Sequence, residues 1–286
     1  MRVITAKAAG MCFGVRDALA ALDGVDQPGS VAIYGELVHN DIVLHQLELR
    51  GFQQLPETGR EELPTAAQIV ITAHGISDNR RQQLVAAGKS LIDTTCPLVA
   101  RVHRAAQGLA QSGAFVVVIG RAGHVEVEGI VGDLEAFAVV PSVTAVGTYP
   151  SQTIGVVCQT TFPVDEAAAI RRQIAACNPA AEIRWVDTIC QPTKDRQRAL
   201  SELLDEVEAV VVVGGSHSHN TRRLVDACRQ RGLAAFHVEH SGELDPDWFD
   251  DFETIGLTAG TSTLPETLHQ VEERLLEIAA ELTPAR

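Results

Sequence analysis

The sequence predicts an α/β protein of three small lobes, each built on a mostly parallel sheet and related to the others by pseudo-threefold repetition. Three observations lead there. Cysteines at positions 12, 96 and 190 cut the 286 residues into rough thirds. Each is followed, at nearly constant offset, by a β-branched and apolar run ending in glycine: Val31-Ala32-Ile33-Tyr34-Gly35, Phe115-Val116-Val117-Val118-Ile119-Gly120 and Val210-Val211-Val212-Val213-Gly214. A second run in each third stops at Thr72-Ala73-His74-Gly75, at Val157-Cys158-Gln159-Thr160 and at Thr258-Ala259-Gly260-Thr261. Self-similarity at a fixed period marks repeated supersecondary units. Unbroken Val and Ile runs suit strands buried on both faces, as in parallel sheets.

Helices fill the spaces between the runs. Val15, Ala18, Leu19 and Leu22 recur at helical spacing after Cys12, as do Val99, Val102, Ala106 and Leu109 after Cys96, and Leu200, Leu203, Leu204 and Val207 after Cys190. A helix with Val43, Leu44 and Leu47 stops at Gly51, a helix-ending residue type. Leu224, Val225 and Cys228 lead through Gly232 to a short strand over Ala234–Val238. A last helix, roughly Pro265 to Ala280, carries Leu268, Val271, Leu275 and Ile278 on one face, with Ser262 or Thr263 as its cap and Pro265 in its first turn. The lobes are predicted to span 1–95, including the N-terminal strand, 96–189, and 190–286 with the C-terminal helix.

Composition bounds the function. The chain is 45% hydrophobic and 21% charged, with a formal net charge of −14. That excludes a general nucleic-acid binder, which needs a basic face. It also requires any anionic substrate to be held by a local site. No apolar run is long enough to span a membrane, and the first residues are too short and polar for a signal peptide, so the expected compartment is the cytoplasm. Disulfides are rare there; Cys158, Cys177 and Cys228 are read as small buried or half-buried hydrophobes.

A cysteine at the same place in each of three units suggests one shared centre, and three thiolates suit a metal or an iron–sulfur cluster. Zinc with three protein ligands and a water is the metal alternative, although no CxxC pair is present. Ligands of open α/β sheets bind beyond the carboxyl ends of the strands. The residues there are Val38-His39-Asn40 and Ala73-His74-Gly75 in the first lobe. The second has Ala122-Gly123-His124-Val125-Glu126 and Gln159-Thr160-Thr161. The third has Ser218-His219-Asn220-Thr221 and Thr261-Ser262-Thr263. Together they offer imidazoles, hydroxyls, an amide and, in Glu126, a carboxylate. The Gly123-to-Gly129 stretch reads as a loop, in which an extended course would send Glu126 and Glu128 the same way.

The segments Gly10-Met11-Cys12-Phe13-Gly14-Val15, Val38-His39-Asn40, Thr72-Ala73-His74-Gly75, Thr95-Cys96-Pro97-Leu98-Val99, Gly123-His124-Val125-Glu126-Val127-Glu128-Gly129, Gln159-Thr160-Thr161 and Thr258-Ala259-Gly260 resemble, in order and over essentially the whole chain, the LytB/IspH family. The resemblance implies a trefoil of three α/β lobes around a central 4Fe–4S cluster, one per chain, held by Cys12, Cys96 and Cys190. It implies reductive dehydroxylation of 4-hydroxy-3-methylbut-2-enyl diphosphate to isopentenyl and dimethylallyl diphosphates, the last step of the methylerythritol phosphate route. It places the diphosphate among His39, His74, His124, Ser218, Asn220 and Ser262, with His219 a further candidate in the same loop. It sets Glu126 and Thr160 near the substrate hydroxyl, with Glu126, rather than Glu128, supplying protons.

The chain departs from the family pattern at three places. His217-Ser218-His219-Asn220 stands where Asn-Ser-Ser-Asn is common. Cys190-Gln191-Pro192-Thr193 replaces Cys-x-Ala-Thr, and Leu264 is interposed before Pro265. A paralogue acting on a related allylic diphosphate is one alternative; an iron–sulfur hydro-lyase is another. A hydroxy-acid substrate would call for an arginine clamp, and only Arg121 stands in the strand-end motifs. A non-catalytic redox sensor would not need so many polar groups. No GxGxxG fingerprint follows a strand, so electrons are expected from a carrier protein such as ferredoxin or flavodoxin. Arg80-Arg81, Arg171-Arg172 and Arg222-Arg223 are candidate docking pairs, though solvated helix faces explain them as well.

Overall fold

The computed structural model describes residues 1–57, 60 and 62–282; the last four residues of the predicted third lobe lie outside them. The fold is α/β with three small sheets of four strands, all parallel. The first contains β2 (Val31–Ile33), β3 (Gln53–Gln54), β4 (Gln68–Ile71) and β5 (Ser90–Asp93), in the order β3-β2-β4-β5. The second contains β6 (Phe115–Ile119), β7 (Phe137–Val140), β8 (Thr153–Cys158) and β9 (Glu182–Trp185), in the order β7-β6-β8-β9. The central pairs are the apolar runs read from the sequence. The edge strands β3, β5 and β9 carry polar residues, whereas β7 is apolar.

The third sheet repeats this order with one substitution. Its strands β10 (Ala209–Val213), β11 (Ala234–Val238) and β12 (Thr254–Ala259) match the first three places, but the fourth is taken by β1 (Arg2–Thr5), giving β1-β12-β10-β11. The N-terminal strand thus pairs with β12, Val3 opposite Ile255, and does not belong to a first lobe spanning 1–95. In the other two sheets the fourth strand comes after the helix that follows the third; among the described residues no strand follows β12 and its helix, so the outer edge of β12 is open to β1. Filling it removes an open edge. The fourth strand in every sheet is therefore the one that leads into a cysteine: β5 into Cys96, β9 into Cys190, β1 into Cys12.

The chain divides into two compact units: Met1–Arg16, Val38–Leu47 and Asp195–Arg286 in one, Asp17–Leu37 and Glu48–Lys194 in the other. The third sheet lies in the first unit and the other two sheets in the second.

In the second sheet, α4 (Pro97–Gln111) lays Val102, Ala106 and Leu109 on Val116, Val118 and Val157, while α6 (Val164–Cys177) covers the opposite face with Ala167, Ile170 and Ile174. In the third, α7 (Gln191–Leu204) brings Leu200, Leu203 and Leu204 to Val210 and Val212, and α9 (Pro265–Leu282) brings Val271, Leu275 and Ile278 to the other face. Each fully buried aliphatic side chain contributes roughly 1.5–3 kcal/mol. Helix α2 (Asp41–Leu49) ends where expected, with Gly51 at φ +93°.

Helices α4 and α7, which follow Cys96 and Cys190, each cross a sheet at a glycine. A Cβ on Gly155 of β8 would lie 2.8 Å from Leu109 Cβ, and one on Gly256 of β12 would lie 2.9 Å from Leu203 Cδ2. These side chains are locked in the core, so Gly155→Ala should destabilise the protein by about 1–3 kcal/mol, as overpacking does. Gly147→Ala has nothing within 4 Å of the new methyl and should leave the thermal midpoint essentially unchanged. Equal midpoints for the two variants would contradict this packing.

Candidate functional site

All three cysteines of the repeat occupy one structural position. Each immediately precedes a helix: Cys12 before α1 (Phe13–Asp23), Cys96 before α4 and Cys190 before α7. Each carbonyl accepts the N–H four residues on, from Arg16, Ala100 and Lys194. Each cysteine N–H donates to the carbonyl two residues past the end of a central strand: Cys96 to Ala73 after β4 (3.0 Å), Cys190 to Thr160 after β8 (3.0 Å) and Cys12 to Thr261 after β12 (3.1 Å). This clasp sets the sulfur beside the strand-end polar residues: His74 follows Ala73, Thr160 is itself the acceptor, and Ser262 follows Thr261.

A second brace repeats two residues before each cysteine. Thr94 Oγ1 donates to Ile71 O (2.6 Å) and Thr188 Oγ1 to Cys158 O (2.6 Å), each the last carbonyl of its strand. At the third place Gly10 stands, with φ +74°, and its own N–H donates to Ala259 O. The buried Arg196 then donates to Gly10 O. Thr94, Thr188 and Arg196 were not identified from sequence. The two threonines had a signal there, the repeated Thr two residues before Cys.

All six cysteines are free thiols. Cys12, Cys96 and Cys190 are half-buried, next to the N–H-rich start of a helix, where negative charge is favoured. Cys158 and Cys228 are fully buried, and burial pushes the Cys228 thiol up to about 11 and the Cys158 thiol further still. Half-buried Cys177 accepts from Gln173 Nε2 within α6. The donor set of the first three therefore fits a thiolate-bound group, and the others fit packing. Among the described residues, no group of three or more His, Cys, Asp and Glu side chains is gathered tightly enough to hold one metal ion.

The second unit brings together His74, Cys96, His124, Glu126, Thr160 and Cys190. The Gly123-to-Gly129 stretch is not an extended loop: Val125–Val131 is a short helix, α5. His124 caps it, its Nδ1 accepting the Glu126 N–H at 3.1 Å. The cap is what turns the chain helical here, and it separates the two glutamates. Residues two apart on a helix do not share a face; Glu128 is exposed and accepts the Gly123 N–H, while Glu126 is 2% exposed. Glu126 Oε1 accepts the Thr160 N–H at 2.6 Å and Oε2 accepts the Thr160 hydroxyl at 2.9 Å. Burial raises its pKa to about 7, outweighing the two bonds from Thr160, which lower it. The His74 and His124 rings meet edge to face, 5.8 Å between centroids.

The first unit holds Cys12, His39, Ser218, His219, Asn220 and Ser262. Ser262 Oγ donates to His39 O (3.0 Å) and Asn40 Nδ2 donates back to Ser262 O (2.9 Å). Asn40 also caps α2, accepting the Val43 N–H. Ser218 caps α8 (His219–Gln230), accepting the Thr221 N–H, and is buried. His219 and Asn220 are half-buried in the first turn. Asn220 Nδ2 is a buried donor without a hydrogen-bond partner among the described residues.

Arg121 is exposed. The expected docking pairs are engaged within the chain: Arg80 with Tyr34 Oη, Arg81 with Asp93, Arg171 over the Trp185 ring and Arg222 with His217 O. Among the described residues, no helix is long and apolar enough to cross a membrane.

A family model described as LytB protein matches residues 3–276. Among curated proteins, a 4-hydroxy-3-methylbut-2-enyl diphosphate reductase of Geotalea uraniireducens is 34% identical over 281 residues, covering 96% of this chain and 98% of that protein. One of the same name from Aquifex aeolicus is 34% identical, with 96% of each chain covered. Of solved structures, the E-1-hydroxy-2-methyl-but-2-enyl-4-diphosphate reductase of Plasmodium falciparum superposes with a TM-score of 0.86 at 27% identity, covering 95% of this chain and 87% of that one. A structure described as (E)-4-hydroxy-3-methyl-but-2-enyl diphosphate reductase, the terminal enzyme of the non-mevalonate pathway, gives 0.67 at 31% identity, covering 97% and 100%.

The Glu126 environment makes a pH-dependent prediction. An acid whose folded pKa lies above its unfolded value stabilises the fold below the unfolded pKa, and that stability is lost as pH rises through the folded one. For Glu126 the window runs from the ordinary carboxyl value of 4.5 to about 7. Its share is on the order of 3 kcal/mol. Glu126→Gln should flatten stability across this window. A carboxyl band titrating near neutrality, present in wild-type protein and absent from the variant in infrared difference spectra, would confirm the assignment.

Proposed function

The chain belongs to the LytB family, and on that premise we propose that it reductively dehydroxylates 4-hydroxy-3-methylbut-2-enyl diphosphate to isopentenyl and dimethylallyl diphosphates. The observation that carries this reading is the juxtaposition of a buried, near-neutral acid with a candidate cluster ligand: Glu126 on Thr160, and Thr160 O on the Cys190 N–H.

Cys12, Cys96 and Cys190 would hold a 4Fe–4S cluster, one per chain, which would supply electrons singly and act as a Lewis acid. The rest of the chemistry belongs to the side chains. The reaction adds two electrons and two protons and releases water. Hydroxide is a poor leaving group, so a proton must reach the departing oxygen. Glu126, with a pKa of about 7, is protonated in a substantial fraction at neutral pH and can supply that proton. The Thr160 hydroxyl can donate to the carboxylate or accept from the acid, so it holds Glu126 in place in both states.

The diphosphate is held by His39, His74, His124, Ser218, His219, Asn220 and Ser262. His124 Nδ1 accepts the Glu126 N–H, so the neutral ring carries its proton on Nε2. The buried Asn220 Nδ2 supplies a neutral donor. In an acidic protein such donors hold an anion without a standing positive charge. Electrons come from a ferredoxin or flavodoxin. Six free thiols suit a reducing compartment, so the protein works in the cytoplasm, with neither membrane nor nucleic acid as partner.

Anaerobic purification followed by iron, sulfide and turnover assays tests the reading. About four iron and four sulfide per chain are expected, as a cubane requires. Ser at Cys12, Cys96 or Cys190 should remove or cripple the cluster, and Ser at Cys158, Cys177 or Cys228 should not. Stoichiometric zinc without sulfide would sink it. Glu126→Gln should keep the cluster and substrate binding but lose about 10²–10⁴-fold in turnover, the usual contribution of a positioned acid. Near-normal turnover would assign the proton to another group.

A further inference from the structure

The loop from Gly214 to Asn220 carries Ser218 and Asn220, and it is held by two side chains outside the residues already assigned, one on strand β11 and one just past its end. His237 Nε2 donates to Gly214 O at 2.7 Å. Glu239 Oε1 accepts the Ser216 N–H at 2.7 Å. Glu239 is itself fixed, its own N–H donating to Glu243 Oε2 at 2.7 Å. The two bonds grip neighbouring peptides of one turn from one strand end.

Their effect on the loop follows from peptide geometry. A trans peptide sets its C=O and N–H on opposite sides. With Gly214 O tied to His237, the Gly215 N–H is aimed away from that ring. Gly214 has φ +150°, and a Cβ there would lie 2.5 Å from Thr221 Oγ1. One on Gly215 would lie 3.3 Å from His39 O. The loop thus lies close to the first turn of α8 and to the His39 segment, and His237 and Glu239 fix the orientation of its peptides. Gly215 O then accepts the Ser218 N–H, which sets the cap residue and, with it, Asn220.

We propose that His237 and Glu239 are positioning residues that hold the 214–220 loop in its anion-receiving conformation, so that strand β11 sets the grip on the substrate diphosphate. This rests on the diphosphate reading of the Ser218 and Asn220 loop. Glu239 gives the inference a sign that distinguishes it from bulk electrostatics. A carboxylate near an anion site repels the anion, so on charge alone its removal strengthens binding. As a loop anchor, its removal weakens binding.

The test uses anaerobic, cluster-loaded protein and calorimetric binding of inorganic diphosphate, alongside KM, kcat and the cluster absorption spectrum. His237→Phe keeps a ring but loses the donor; His237→Gln keeps a donor. His237→Phe and Glu239→Ala should each weaken diphosphate binding and raise KM about tenfold, the effect of one hydrogen bond. The kcat and the spectrum should not change, and His237→Gln should bind within about threefold of wild type. Unchanged or tighter binding by Glu239→Ala overturns the inference. So does a His237→Gln variant as weak as His237→Phe, because ring packing alone would then explain the loss. If His237→Phe does not fold, Glu239→Ala decides alone. Wild-type protein that binds no diphosphate would refute the diphosphate reading and this inference together; binding that the variants leave untouched would refute only the inference.

Discussion

The hydrogen bond from each cysteine N–H to a carbonyl two residues past a central strand is the constraint on which the rest of the site depends. One such bond contributes only about 1 kcal/mol net. Its importance is geometric: it fixes where a helix begins relative to where a strand ends, and so which side chains surround the sulfur. The same bond occurs at Cys12, Cys96 and Cys190, with acceptors at Thr261, Ala73 and Thr160. The third instance shows what the constraint tolerates. Where Thr94 and Thr188 brace the last strand carbonyl by a side chain, Gly10 does so by its own N–H, and Arg196 secures Gly10 from α7. Residue identity changes while the main-chain arrangement stays.

Thr160 links this constraint to the acid. Its carbonyl serves Cys190, while its N–H and hydroxyl serve the two oxygens of Glu126. Two opposed influences then set the proton on Glu126. Burial in a 2%-exposed position disfavours the charge, and the two Thr160 bonds favour it. Burial wins by enough to bring the acid to about 7, near the pH at which a general acid is most useful. A side chain at position 160 without the hydroxyl would lose the bond to Glu126 Oε2, while the main-chain bonds to Glu126 Oε1 and from Cys190 do not depend on it.

Much of the fold was legible because the central strands are unbroken Val and Ile runs and their covering helices are strongly periodic. Of the edge strands, Ala234–Val238 and the N-terminal strand were legible and others were not. Gln53-Gln54 has no strand pattern, and its pairing with β2 is a property of the sheet. The placement of β1 was misread for the same reason, since only the missing strand beside β12 draws it to the third sheet. Helix α5 was misread as a loop because it is short, and because the device that starts it, His124 Nδ1 on the Glu126 N–H, depends on a side-chain orientation. The site residues were legible as types at strand ends. The clasps that place them are main-chain bonds and leave no trace in the residue letters. Thr94 and Thr188 were the exception, visible as a repeat but not interpreted.

Two of the chain's departures from the pattern it resembles, at His217 and Leu264, fall where the structure makes them inexpensive. His217 is exposed, and its backbone carbonyl is what Arg222 uses, so its ring can vary without moving the turn. Ser218, next to it, is buried and caps α8, so a hydroxyl or short acceptor is required there. The residue interposed at Leu264 is absorbed as the first turn of α9, where Leu264 O accepts the Leu268 N–H. Thr263 Oγ1 still reaches Val213 O at the end of β10, and Ser262 Oγ still reaches His39 O. An added residue on the helix side of those two anchors shifts the helix start and leaves the strand-end hydroxyls in place. The changes at His217 and Leu264 therefore leave the bonds of Ser218, Ser262 and Thr263 in place.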